Sequence, residues 1–437
     1  MNGGINMSTY AATQDNTRIQ SVRTVAFASL IGTAIEWYDF FIYGTLSAIV
    51  FNKLFFPAND PVVSVMLAYA TFAVGFVVRP IGGIIIGHFG DRIGRKPLLV
   101  LTLSLMGVAT FLIGLLPTYA QIGIAAPVLL LLLRVVQGLA MGGEWGGAVL
   151  MAFEYSDRNT RAQYACYPQI GLAVGLCLAS GVITLLSLAM DDAAFLAWGW
   201  RIAFLLSVFL LAVGMFIRLR ILETPEFLRA KESMKIAKAP ILDVLRDYKR
   251  DIVLGWGARL IDGIVFAIYA IFSVGFLVNA AKMPRTTVLT AITVAALALA
   301  VTIPFASIWA DRVGKRKLYI WFSLICGIAG FPMLWLMQYS GSSFWASAAI
   351  VFALGIIYAP VYGPQAAIFC EMFDTPVRFT GISIVYQIGA IISVSLTPLA
   401  ATALFAYGGN TPWLIASYML AAGIVSGICV GMMRKPY

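Results

Sequence analysis

The sequence predicts an all-α polytopic membrane protein with twelve transmembrane helices arranged as two six-helix pseudo-repeats. Three observations carry that prediction. The 437-residue chain is 61% apolar and only 11% charged, against about 25% charged in an ordinary soluble domain. That is roughly 267 apolar residues, enough for about twelve spans of about 20 residues each. Polar motifs also recur at offsets near half the chain length. A soluble enzyme, a disordered chain and a secreted disulfide scaffold are excluded by this arithmetic.

Apolar runs of spanning length fall at about 25–50, 62–89, 98–116, 127–152, 163–189, 199–219, 252–279, 287–309, 318–338, 344–368, 380–407 and 412–433. They are hydrophobic all round, and a lipid core admits only helices or closed barrels. Barrel strands would read as short alternating segments instead. Orientation follows from Lys and Arg, which accumulate in cytoplasmic loops. With the N-terminus inside, 23 of the 30 lie on the cytoplasmic side. Three (Lys53, Lys282, Arg285) lie opposite, and four (Arg79, Arg134, Arg201, Arg259) lie within spans. Both termini are therefore expected in the cytoplasm, and the net charge of +10 needs no nucleic-acid partner. No separate leader with a cleavage site precedes the first span, so no cleaved signal peptide is expected.

The longest polar stretch, about 218–251, carries nine Lys and Arg and divides the chain. The expected organisation is a cytoplasmic segment 1–24, a six-helix bundle 25–219, a cytoplasmic linker 220–251, a second bundle 252–433 and a cytoplasmic end 434–437. The halves echo one another. Asp91-Arg92-x-Gly94-Arg95-Lys96 returns as Asp311-Arg312-x-Gly314-Lys315-Arg316 at an offset of 220. Glu154 and Arg161 return as Glu371 and Arg378 at an offset of 217, and Gln169-Ile-Gly171 as Gln387-Ile-Gly389 at 218. Three polar echoes in order indicate a duplicated unit.

Ionisable groups inside a membrane are costly and point to function. The spans hold Glu36, Asp39, Glu144 and Asp262 against the four arginines. Glu36, Arg79, Glu144 and Asp262 each sit about nine or ten residues from a cytoplasmic end, roughly 15 Å deep and near the bilayer middle. Transporters place their sites there, between repeats. Glu36, Asp39 and Tyr43 share one face of span one. Neighbouring acids raise each other's pKa and an arginine lowers it, so one of the pair can exchange a proton near neutral pH. A plain Asp39–Arg79 bridge pinning two helices is the alternative.

Span four carries Arg134, Gln137, Met141, Glu144 and Trp145 within one arc. Beside them run Gly138, Gly142 and Gly146, with Gly143 and Gly147, at spacings that let helices approach closely. Arg79, just before Pro80, can hold a carboxylate through two parallel hydrogen bonds. An anionic substrate is the economical inference, although a protein carboxylate would serve equally. Arg259 and Asp262, three apart, can pair with each other, and Tyr269 is placed to line the same cavity. Gln169 and Gln387, from the third echo, complete the polar candidates. Arg201, in Trp198-Gly-Trp200-Arg201, reads as an interfacial anchor.

The loop Gly87-His88-Phe-Gly-Asp91-Arg92-Ile-Gly94-Arg95 has glycines that permit a tight turn. Its Asp91 can oppose a helix N-terminus of the other half. Gly87, Asp91, Arg92, Gly94 and Arg95, with Asp311, Arg312 and Gly314, are the gating candidates. The loop is no phosphate cradle, because no strand precedes it and the Walker spacing is missing. His88 is read as a boundary residue, and a lone histidine argues against a histidine-based metal or catalytic site. Five isolated cysteines read as packing residues. No enzyme chemistry, metal or cofactor is expected.

The two Asp-Arg-x-Gly loops, Arg134-x-x-Gln137-Gly138 and the six-plus-six repeat resemble the major facilitator superfamily. Glu36-Trp-Tyr-Asp39-Phe, Gly142-Gly-Glu144-Trp-Gly-Gly147, Trp198-Gly-Trp-Arg201 and Glu223-Thr-Pro-Glu226-Phe resemble its metabolite:proton symporter branch. That branch carries shikimate, α-ketoglutarate, citrate and proline or betaine, and its shikimate carriers look nearest. The resemblance implies the major facilitator fold in a bacterial inner membrane, with alternating access driven by protons. It implies that Asp91 locks the cytoplasmic gate and that Arg134 belongs to the proton-linked machinery. Ser307 standing where the first loop has Gly87 implies weaker packing of the second loop. Gly171-x-x-x-Gly175 lacks the proline of drug exporters, which points to uptake.

The expected function is therefore secondary active symport of protons with a small organic acid, shikimate-like or another carboxylate, by a monomer in the bilayer. Glu36, Asp39, Glu144 and Arg134 are expected to handle the proton. Arg79, Tyr43, Gln137, Gln169, Arg259, Asp262, Tyr269 and Gln387 are expected to hold the solute. A zwitterionic osmolyte or amino acid is the runner-up, because acids and arginines balance. A non-transporting sensor is remote, since no signalling domain is apparent.

Overall fold

The computed structural model describes residues 7–57, 61–93, 95–220, 240–279, 281–374 and 377–434, without the side chains of 7–21, 87, 88 and 90–96 among others. All regular structure among the described residues is helical. The first rods are α1 (Met7–Leu46), α2 (Pro61–Ile93), α3 (Arg95–Leu115) and α4 (Ala125–Glu154). They are followed by α5 (Arg158–Ala189), α6 (Asp192–Ile217), α7 (Lys249–Val278) and α8 (Arg285–Val313). The last are α9 (Lys315–Tyr339), α10 (Ser343–Cys370), α11 (Arg378–Tyr407) and α12 (Trp413–Met432). Ten are long and apolar enough to cross a membrane, and α2 and α3 hold the shorter apolar stretches Ala70–Ile86 and Val100–Leu115. The twelve apolar runs of the sequence thus become twelve rods.

The packing repeats as the sequence does. In the first half α1 lies on α5, α2 on α4, and α3 on α6. In the second, α7 lies on α11, α8 on α10, and α9 on α12. Across the halves α5 packs along α8 and α2 along α11. Helices α1 and α7 each have a wider π-type turn, Ser47–Phe51 following the α1 helix and Ala267–Phe272 within α7. The two turns begin at an offset of 220, that of the loop motifs, and such turns recur at functional places in helices.

Glycines set the closest crossing. A Cβ on Gly142 would lie 2.0 Å from the Arg79 carbonyl oxygen, and one on Gly138 2.5 Å from that of Gly75. Without side chains at these points α2 and α4 touch backbone to backbone, as small residues allow in membranes. That contact fixes the depth and bearing of Arg79.

Helix α2 continues through Gly87 to Ile93 and α3 starts at Arg95, so the change of direction between them falls beyond Ile93, and Gly94 lies outside the described residues. In the echo, Gly314 makes the turn between α8 and α9 with φ of 108°, a conformation open to glycine. Arg201 donates to the Gly114 carbonyl at 2.9 Å and stacks on Trp200 at 4.4 Å. It thereby caps the end of α3 as well as anchoring α6.

Candidate substrate and proton site

Helix α1 aims its polar residues at three neighbours. Asp39 accepts a hydrogen bond from Thr110 of α3 at 2.9 Å. Gln137 Nε2 donates to the same Thr110 oxygen at 2.7 Å, and Arg134 donates to Gln137 Oε1 at 3.1 Å. The acid is thus joined to an arginine through two neutral groups. The direct Asp39–Arg79 bridge is not what α1 forms. Tyr43 donates to Thr71 of α2 at 2.9 Å and turns its ring to Arg134, 4.3 Å from the guanidinium carbon.

Arg79 and Arg134 flank the ring of Phe40 at 4.5 and 4.7 Å. Phe76 and Trp37 add faces to Arg79 at 4.4 and 5.4 Å, and its Nη2 donates to Met141 Sδ at 3.1 Å. Cation–π contacts contribute about 2 kcal/mol or somewhat more each when desolvated, far below the solvation a bare guanidinium loses on burial. Arg79 Nε and Arg134 Nε and Nη2 have no hydrogen-bond partner among the described residues. Each is a buried donor left for an acceptor to satisfy.

The second half is built differently. Arg259 contacts Asp262 as a direct ion pair one turn along α7. Gln365 Oε1 accepts from Arg259 at 3.0 Å, the Tyr386 ring covers the guanidinium at 3.8 Å, and Tyr358 donates to Asp262 Oδ1 at 2.5 Å. Arg79 lies within electrostatic reach of Glu36, Arg259 and Tyr386, so the two centres face one another across the halves. Glu36, Asp39, Arg79, Arg134, Glu144, Arg259 and Asp262 are all 3% exposed or less. The site is closed to bulk water.

Its floor joins the halves. Trp145 stacks on Tyr386 with centroids 3.5 Å apart and donates to Gln169 Oε1 at 3.0 Å. Gln169 donates to the Tyr362 carbonyl at 3.2 Å, and Gln387 to the Gly142 carbonyl at 2.9 Å. A second tier lies beyond, at the ends of the helices. Asp311 accepts from the backbone N–H groups of Ala162 and Gln163 at 3.2 and 2.9 Å, groups that a helix start leaves free. Arg378 reaches Glu154 at 3.9 Å, and Lys315 reaches Glu371 at 2.7 Å. The first two of these cross between halves.

Among the expected residues, Asp39, Arg134, Gln137 and Tyr43 form one cluster. Glu36, Arg79, Arg259 and Asp262 come together in a second, while Gln169 and Gln387 form the floor. Glu144 is buried on α4 beside Trp145. Tyr269 is buried within electrostatic reach of Cys326 on α9 and is not among the contacts of the Arg259 pair. Asp311 bridges the halves, Gly314 makes its turn, and Arg312 is exposed. Gly87, Asp91, Arg92, Gly94 and Arg95 lie outside the described side chains. A cavity of about 330 Å³ beside α2 and α11 is lined by Pro80, Gly83, Ile84, Ser383 and Ile384 among others. It holds none of the charged groups and is distinct from this site.

Sequence reasoning passed over Thr110, Tyr358, Gln365 and Tyr386. Tyr358, Tyr362 and Gln365 are spaced four and three apart, a one-face pattern that was open to notice. Thr110 carried no signal, because a threonine in an apolar helix ordinarily bonds its own backbone, as it also does here to Met106 at 2.9 Å.

A twelve-helix membrane bundle with its charges gathered between two pseudo-equivalent halves defines a transporter of small molecules, not an enzyme. The chain belongs to the sugar (and other) transporter family of the major facilitator superfamily, which it matches over residues 24–252. It is 40% identical over 414 residues to the inner membrane metabolite transport protein YhjE of Escherichia coli, covering 94% of this chain and 91% of that protein. It is 36% identical over 418 residues to the shikimate transporter of the same organism, covering 95% of each. In fold it matches the proton:xylose symporter XylE with a TM-score of 0.78 at 14% identity, over 94% of this chain and 95% of that one.

Proposed function

We propose that the protein is a proton-coupled symporter that takes up a small organic acid by alternating access of its two halves. The observation that carries this reading is Arg79: a fully buried guanidinium caged by Trp37, Phe40 and Phe76, with Nε left over. In a dry layer the fitting partner for such a donor is a carboxylate. Arg259 lies within its electrostatic reach, we assign Tyr43, Gln137, Gln169, Asp262 and Gln387 to the same solute site, and the 36% identity to a shikimate transporter supports the class of solute.

The proton rests on Asp39, with Glu36 and Glu144 as further carriers in the same layer. Ionised Asp39 draws Thr110, Gln137 and Arg134 into one chain. Its protonation removes the charge at one end of that chain and frees Arg134 to move. We assign the cytoplasmic gate to Asp311 and, by the repeat, to Asp91 with Arg92, Gly94 and Arg95. Both termini lie in the cytoplasm of a bacterium, as the Lys and Arg asymmetry supports. The two bundles, 25–219 and 252–433, move as units about the linker 220–251.

Proteoliposomes loaded with a proton gradient test this, with shikimate as the probe. Accumulation is expected to collapse with a protonophore. Asp39→Asn is expected to abolish accumulation while shikimate exchange down its own gradient survives. Full accumulation by both Asp39→Asn and Glu36→Gln would remove α1 from the coupling, and accumulation of betaine in place of shikimate would make the protein a zwitterion carrier.

A further inference from the structure

Beside the coupling through Asp39, the solute site contains one ionised pair in direct contact. Asp262 and Arg259 are in contact at 1% and 3% exposure. Arg259 Nη1 also donates to Gln365, one guanidinium face lies on Tyr386, and Nε has no hydrogen-bond partner among the described residues. Tyr358 supplies its hydroxyl to Asp262. Desolvation cancels most of the attraction in a buried pair, so the pair is weak evidence for stability. Its chemistry is that of a carboxylate seated on a fork that would accept another carboxylate equally well.

Building on the carboxylate reading above, we propose that Asp262 is a tethered stand-in for the solute's carboxylate, holding Arg259 until the solute replaces it and taking up one proton as it is displaced. Charge requires the proton. Arg79 has Glu36 within electrostatic reach and Arg259 has Asp262 in contact, one carboxylate per guanidinium, and a further ionised carboxylate in the same dry layer costs several kcal/mol. The solute therefore keeps its charge between Arg259 and the facing Arg79, and Asp262 binds a proton from whichever side is open to water. The neutral acid still accepts from Tyr358 through its carbonyl oxygen. When the solute leaves, Asp262 returns to Arg259 and its proton departs to the same side. Site and solute together gain one anion and one proton, so no net charge is carried by this half.

The groups facing Asp262 are consistent with an exchange of partners. Arg259 stands on its own helix, Tyr358 and its stacked neighbour Tyr362 come from α10, and Tyr386 from α11. Tyr319 of α9 reaches the pair through Gln365, and Arg79, itself within electrostatic reach of Glu36, faces it from the other half. On α12, Ser426 bonds the α7 backbone and Cys429 lies against Gly257. Tyr386 carries the consequence outward, since its other face is stacked on Trp145 of the opposite half.

The test counts protons taken up per shikimate bound to the purified full chain, by titration calorimetry near pH 7.5 in two buffers of different ionisation enthalpy. Asp262→Asn is expected to lower that count by about one, and Asp39→Asn to leave this share in place. Because Asp262→Asn strands Arg259 and can disturb folding, Tyr358→Phe is measured beside it. That variant keeps the ion pair but removes the donor to ionised Asp262, so the pH dependence of shikimate affinity should move to higher pH. A residue that merely braces α7 would change affinity without moving the profile. An unchanged proton count in Asp262→Asn, or an unmoved profile in Tyr358→Phe, overturns the proposal and leaves the carboxylate reading standing. If the unmodified protein binds neither shikimate nor any of a panel of mono- and dicarboxylates, both fall together.

Discussion

The two halves place opposite charges at equivalent points. Asp39 on α1 and Arg259 on α7 stand at an offset of 220, the one shared by the loop motifs and the wide turns. In the first half the acid and its arginine are kept apart by Thr110 and Gln137. In the second they touch. An acid with no cation against it changes charge readily in a dry layer, whereas a contact pair is neutral as a unit and opens for a competing ion. One duplicated framework thus holds two chemically different centres, and the difference lies in what stands between the charges.

The comparison breaks most directly at Thr110. Thr110→Val keeps the shape and removes the hydroxyl shared by Asp39 and Gln137. Each buried polar group left unpaired costs about 1–3 kcal/mol, so shikimate accumulation in proteoliposomes should fall tenfold or more. Equal accumulation would show that the separated pair is not the proton centre. Gly142→Ala probes the framework instead. Its Cβ would meet the Arg79 carbonyl at 2.0 Å, an overpacking cost of about 1–3 kcal/mol. The melting temperature in detergent should drop clearly, while Gly427→Ala, whose nearest neighbour is Ile320 at 3.7 Å, should leave it in place.

A smaller effect is expected at the helix ends near the second Asp-Arg-x-Gly loop. Asp311→Asn removes a charge from the α5 N-terminus, worth about 0.3–1 kcal/mol. Alkylation of buried Cys166, which donates to Gln163 at 3.1 Å, should accelerate a few-fold as that end opens. The smallest lies outside the spans. Tyr248 donates to Asp374 at 2.5 Å, and burial, then that bond and the Asp374 charge, push its hydroxyl up to about 12. A pKa raised from 10 on folding gives stability that is whole below pH 10 and lost as the pH climbs toward 12. Tyr248→Phe should therefore lower stability by about 0–1 kcal/mol at neutral pH, since solvent screens the contact, and match the unmodified protein in strong alkali.

Much of the architecture was legible because it rests on quantities that add along a chain. Apolar runs, the placement of Lys and Arg, and polar echoes near half the chain length led to twelve spans in two pseudo-repeats. The glycine seam of α4 was legible as a close crossing. The same reasoning named Asp39, Arg134, Arg79, Arg259 and Asp262, because a charge in an apolar run stands out wherever it points.

Partners were another matter. Spacing on α1 placed Asp39 beside Glu36 and near Arg79, yet the bond goes to Thr110, a residue indistinguishable in sequence from any other helix threonine. Tyr269 and Tyr386 are both buried tyrosines, but Tyr386 is the one that covers Arg259. By itself the sequence determined which helices exist, how they repeat and which charges enter the membrane, since burial and length are local or cumulative properties. The tertiary structure alone decided which charge meets which neighbour. Hydrogen bonds and ion contacts form within about 3–4 Å, and that distance is set by where distant helices cross, here by the backbone contact of Gly142 with Arg79.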